Sequence, residues 1–153
     1  MTLYSIDTSA LVGAWCELYS PETFPGLWRR LEEMVQTGRL VASEEVLNEL
    51  ERQDDGLLRW AKAQNGLFVP MDADIESAVK EVVRIPKVVS GTSTDNSADP
   101  FVIGLGLARR ATVVSQEKGG GPSHPKIPYV CKLLGIPHLS TEEFVNRAGW
   151  SFD

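Results

Sequence analysis

Short apolar segments recur along this chain, and each is followed by a stretch whose apolar residues are spaced for one face of a helix. The segments are Leu3–Ile6, Leu40–Ala42, Leu67–Val69, Thr112–Val114 and Ile136–Leu139. Three or four residues are too few to be a helix, and their β-favouring side chains read as strands. Between them, Leu11, Val12, Trp15 and Leu18 share a face in Thr8–Leu18, and Leu27, Leu31, Met34 and Val35 do so in Leu27–Val35. Further helices are predicted after the cap residue Ser43, over Leu57–Ala61 and over Asp72–Arg84. Asp99 is read as the N-cap of the next, with Pro100 at its first position. Two more follow, near Tyr129–Leu134 and after the cap Thr141. Strands that alternate with helices pair in parallel, with helices covering both faces. The expected fold is therefore a three-layer α/β/α domain with a central, mostly parallel sheet. Without a repeat or linker, residues 1–153 read as a single domain. The breaker-rich loop Ser90–Ser97 reads as its mobile segment.

Composition sets the setting. No apolar run approaches the ~18–20 residues of a membrane span, and Asp7 interrupts the first apolar stretch, against a secretory signal. Cys16 and Cys131 are far apart and outside any metal-like spacing, as in a reduced intracellular protein. A soluble, cytoplasmic protein is expected. Fifteen Lys and Arg against 21 Asp and Glu leave a net charge of −6, which argues against nucleic-acid binding by bulk attraction but leaves room for a local basic patch.

Ligands of an open parallel sheet gather at the carboxyl ends of its strands. Asp7 follows the first strand, and Glu117 lies just beyond Thr112–Val114. Asp99 opens the helix before that strand, and Glu49 borders the apolar stripe Val46, Leu47 and Leu50. Glu45, one turn earlier, competes with Glu49. Carboxylates that converge repel unless a cation neutralises them, and an all-oxygen set suits Mg²⁺ or Mn²⁺ rather than zinc. Such an ion activates water and stabilises charge on a phosphoryl group, so a metal-dependent phosphodiesterase is the expectation. Each acid also has an ordinary role open to it: Asp99 as a helix cap, Asp7 as a turn residue, Glu49 as a solvated helix edge, Glu117 as a loop acid.

Four segments carry a resemblance. Ile6-Asp7-Thr8-Ser9-Ala10-Leu11 resembles the opening of PIN domains, and Val46–Leu50 resembles their second acidic motif, Ala98–Ile103 their third and Val113–Glu117 their fourth. Phe24–Trp28, Asp99–Phe101 and Lys126–Cys131 are similar to a little-characterised bacterial and archaeal branch of PIN-like proteins. The resemblance implies a Mg²⁺- or Mn²⁺-dependent endoribonuclease, often the toxin of a VapC-type pair, that dimerises and binds an antitoxin. By it, Asp7, Glu49 and Asp99 would hold the metal, and Glu117 would complete the site directly or through water. Ser9 and Ser115 would orient carboxylates without touching the ion. The chain departs from the pattern at Glu117, where Asp is commoner, and at Gly104 and Gly106, where Ala is more usual.

Three other readings stand beside this one: a PIN-like nuclease outside a toxin pair, a non-catalytic PIN-like binding module, and an unrelated α/β phosphohydrolase. Gly104-Leu105-Gly106 lacks the third glycine of a dinucleotide fingerprint, and Gly119–Gly121 is followed by no Gly-Lys-Ser/Thr. His124 and His138 read as loop residues, Cys131 as core, and Trp15, Trp28, Trp60 and Trp150 as packing rather than base-stacking groups. Among the cations, Lys118 is singled out for substrate because it adjoins Glu117.

Overall fold

The computed structural model describes residues 2–53, 55–88 and 97–149; Trp150 and the Ser90–Ser97 loop, Ser97 apart, lie outside them. Five parallel strands, β1 (Tyr4–Ile6), β2 (Leu40–Ser43), β3 (Phe68–Val69), β4 (Thr112–Val114) and β5 (His138–Leu139), line up in the order β3-β2-β1-β4-β5. The helices are α1 (Thr8–Gly13), α2 (Pro25–Gln36), α3 (Glu44–Glu51), α4 (Gly56–Lys62), α5 (Ala73–Val83), α6 (Asp99–Arg109), α7 (Ile127–Leu134) and α8 (Thr141–Arg147). This is the three-layer α/β/α arrangement the alternation of elements predicts.

The layers can be read from one strand, because successive side chains of a strand point to opposite faces. On β1, Tyr4 meets the ring of Phe144 from α8 edge-on at 4.8 Å, and Ile6 packs with Ala10, Leu11, Leu27 and Leu31 of α1 and α2. Ser5 faces the other way, fully buried, and donates its hydroxyl to the carbonyl of Val102 on α6 at 3.1 Å. The sheet grows to both sides of β1, with β2 and β3 on one hand and β4 and β5 on the other. Connections leaving in opposite directions open a crevice at the carboxyl ends of β1 and β4.

Several boundaries shift for identifiable reasons. The strand expected over Ile136–Leu139 shortens to β5, because the Ile136 amide bonds the Cys131 carbonyl at 2.8 Å and Pro137 has no amide to give. Leu67 is fully buried but closes a turn through its amide, so β3 begins at Phe68. Ser140, not Thr141, caps α8 in a reciprocal box with Glu143. Asp99 is not the N-cap of α6: Ala98 holds that position and Asp99 is the first helical residue. After α1 the chain widens into a π-helical turn over Ala14–Leu18. Trp15 from that turn packs edge-on against Trp28, and Trp28 against Trp60, both at 4.9 Å. These three rings serve packing, with Trp28 donating to the Tyr19 carbonyl and Trp60 to Glu32.

Gly104 and Gly106 have a packing reason. A Cβ on Gly104 would stand 2.6 Å from a Val79 methyl and 3.1–3.2 Å from the Val79 backbone, so the glycine lets α6 lie close against α5. At Gly106 the corresponding neighbour is a Val113 methyl at 2.7 Å. Among the described residues no helix is long and apolar enough to cross a membrane, and Cys16 and Cys131 are free.

Candidate functional site

Asp7 leaves β1 in an extended conformation and caps α1 with its side chain. Its Oδ2 accepts the Ser9 hydroxyl at 2.6 Å and the Ser9 amide at 3.2 Å. The same Ser9 oxygen accepts the Gln116 amide at 3.0 Å, which pins the end of β4 to the end of β1. Asp7 is only 3% exposed, and its Oδ1 is buried without a hydrogen-bond partner among the described residues.

The other acids arrive from separate elements. Ser43 starts α3 by accepting the Glu45 amide at 3.2 Å, and burial of Val46 and Leu50 then sets Glu49 at the border of the packed face. Glu49 accepts the Thr8 hydroxyl at 2.5 Å through Oε1 and the Ala98 amide at 3.4 Å through Oε2. Asp99 donates its amide to Ser97 Oγ at 3.2 Å, and its carboxyl and that of Glu117 lie near enough to influence each other's titration. Glu117 accepts the Ile127 amide, the first of α7, at 3.0 Å.

All four acids line one open cavity of about 530 Å³, together with Thr8, Ser9, Val12, Arg52, Gln53 and Ser97. Gathering them has an electrostatic cost. Burial, reinforced by the charge of Asp99, pushes the Asp7 carboxyl from 3.8 up to about 6 against the pull of the Ser9 hydrogen bonds. Asp99 is raised too, by burial and then by Glu117, and Glu117 is raised by its own burial while the Ile127 amide pulls it back. Both members of that pair therefore hold protons to higher pH than an ordinary carboxylate.

The family model of DUF4411, a domain of unknown function, matches residues 4–152. The chain belongs to the DUF4411 family. No curated protein matches it.

The donor set of this DUF4411 chain fits a hard divalent cation in kind. It is all oxygen, and Asp7 Oδ1 is a buried acceptor to which the described residues offer no proton. The acids share a cavity but not a point: among the described residues no three His, Cys, Asp or Glu groups are gathered closely enough to clasp an ion. Glu49 is held by the Thr8 hydroxyl and Glu117 by the first amide of α7.

The structure sorts the remaining expectations. Glu49, not Glu45, lines the cavity; Glu45 accepts the Asn48 amide group at 3.1 Å. Ser9 meets a carboxylate, whereas the fully buried Ser115 is bonded to His138 Nε2 at 2.7 Å. His138 is accordingly a strand residue with a partner, not a loop residue. Lys118 is exposed and outside the lining. Thr8, Ser97, Arg52 and Gln53 were not singled out from the sequence. Thr8 had a signal, being the hydroxyl next to Asp7, while Arg52 had only its place three residues after Glu49, the spacing of one helix face.

Proposed function

We propose that this DUF4411 domain is a divalent-metal-dependent endoribonuclease, in line with its PIN-like motifs. The observation that carries the reading is the meeting of Asp7, Glu49, Asp99 and Glu117, from four different elements, around one cavity at the carboxyl ends of β1 and β4. Asp7, Asp99 and Glu49 are the residues to hold Mg²⁺ or Mn²⁺, with Glu117 joining directly or through water. Bound there, the cation supplies water activation and charge neutralisation for in-line displacement at phosphorus. Ser9 holds Asp7 Oδ2 and leaves Oδ1 as the unshared oxygen. Thr8 steadies Glu49 from the turn that follows Asp7. Burial raises both Asp99 and Glu117 above the ordinary carboxylate range, and a cation held between them would favour their deprotonated forms.

The test is cleavage of a mixed RNA pool in EDTA, Mg²⁺ or Mn²⁺ by wild type beside identically purified Asp7→Asn and Asp99→Asn. Metal-dependent cuts in wild type that fall by at least ~10²-fold in both variants are expected; equal cutting by all three proteins contradicts the assignment. The toxin role belongs to the same proposal and is read by growth arrest on expression that a neighbouring gene relieves.

A further inference from the structure

The cavity is larger than a cation site needs. A water occupies ~30 Å³, so an ion and its hydration shell fill only part of about 530 Å³. Besides the acids and their hydroxyl partners, the lining takes in the end of α3, where the chain is still helical at Arg52 (φ −72°, ψ −17°) and its amide bonds the Glu49 carbonyl at 3.2 Å. A residue three positions after Glu49 on continuing helical backbone projects from the same face. Arg52 thereby reaches the cavity that Glu49 lines, and it is the one cationic side chain among the described residues of that lining.

A guanidinium facing an acidic site has two ordinary uses. It can offset the charge of the acids, or it can grip an anion that the acids alone repel. A cavity of about 530 Å³ has room for an anion as well as an ion and its water, which favours the second, and the planar fork of Arg matches two phosphate oxygens at once. Resting on the nuclease reading above, we propose that Arg52 is a substrate-binding residue that holds an RNA phosphate next to the one being cleaved. An acidic chain of net charge −6 gains little nucleic-acid affinity from its overall field, so a single positive contact inside the cavity weighs heavily in binding and in where the strand lies.

The experiment measures binding of a fluorescein-labelled, mixed-sequence 12-nucleotide RNA by anisotropy, with Ca²⁺ in place of Mg²⁺, over a series of salt concentrations. Wild type, Arg52→Gln and Arg52→Lys are compared, each with its Tm. Arg52→Gln is expected to bind about tenfold more weakly, with a log–log salt slope shallower by about 0.7, the loss of one phosphate contact on a single strand. Arg52→Lys is expected to regain the slope and part of the affinity, because it restores charge without the fork, with every protein assayed well below its own Tm. Affinity and slope unchanged in Arg52→Gln overturn the inference while leaving the nuclease reading intact. A loss of binding that tracks a loss of Tm overturns it as well, since the residue is then structural. Wild type that fails to bind the RNA overturns both.

Discussion

A carboxylate that is 3% exposed, with one oxygen held by Ser9 and the other without a donor, takes a proton more readily in the fold than in the unfolded chain. For Asp7 the fold moves proton release from 3.8 to about 6. Between those values the native state binds more protons than the unfolded one, so this residue's contribution to stability falls as pH rises through that window. The shift corresponds to roughly 3 kcal/mol at 1.36 kcal/mol per unit. The metal-free protein is therefore expected to lose stability relative to Asp7→Asn as pH climbs from 4 to 7. Urea unfolding of both proteins in EDTA at several pH values reads this directly. His138, whose half-buried ring titrates below its ordinary value because of desolvation, contributes with the opposite sign, and the wild type-to-variant difference removes it. A constant difference across the range contradicts the electrostatic account of Asp7.

Among the elements, α6 has the most demanding packing. Adding one methyl at Gly104 improves intrinsic helix propensity by ~1 kcal/mol, yet it drives a Cβ to 2.6 Å from the Val79 side chain and near its backbone, which cannot yield as a side-chain tip can. Overpacking costs ~1–3 kcal/mol, and the backbone contacts put Gly104→Ala at the upper end, so a net destabilisation of ~2 kcal/mol is expected in urea unfolding. Neutral or stabilising behaviour would mean that α5 moves freely. The α8 cap gives a second check: Ser140→Ala removes the acceptor for the Glu143 amide and is expected to cost ~1 kcal/mol, whereas Thr141→Val should cost little, since the Thr141 hydroxyl is buried without a partner among the described residues. The sequence pattern made the strands and helices legible because apolar spacing reports which face is buried. It misassigned the caps at Asp99 and Thr141 because Ala98-Asp99 and Ser140-Thr141 each offer two adjacent starts; Ala98 is held by its amide bond to Glu49, and Ser140 by its reciprocal box with Glu143. The π-helical turn at Ala14–Leu18 left no trace in spacing that fits an ordinary helix.

For the whole molecule, the order β3-β2-β1-β4-β5 is what brings residues 7, 49, 99 and 117 to one edge. The four acids were legible one at a time from strand ends and motif order, but their meeting depends on strand order, which local patterning does not carry. Arg52 and the Ser115–His138 bond were hidden for the same reason: they are contacts between elements distant in sequence. Because the acids stand at the end of β1, in α3, in α6 and in the loop after β4, an ion that joined them would tie these elements together. At one hundred times its Kd such an ion stabilises the fold by about 2.7 kcal/mol, which is roughly 5–10 °C in Tm for a chain of this length. The gain should be large at pH 7.5 and small at pH 5, where protons compete for the raised carboxylates.

The most direct measurement is a calorimetric titration of Mn²⁺ into metal-free wild type, Asp7→Asn and Asp99→Asn at pH 7.5, with circular dichroism to show that all three are folded. The account predicts saturable binding to wild type and at least ~10-fold weaker binding to each variant, since each loses an anionic ligand. Equal Mn²⁺ affinity in the three folded proteins, or none in wild type, would contradict it.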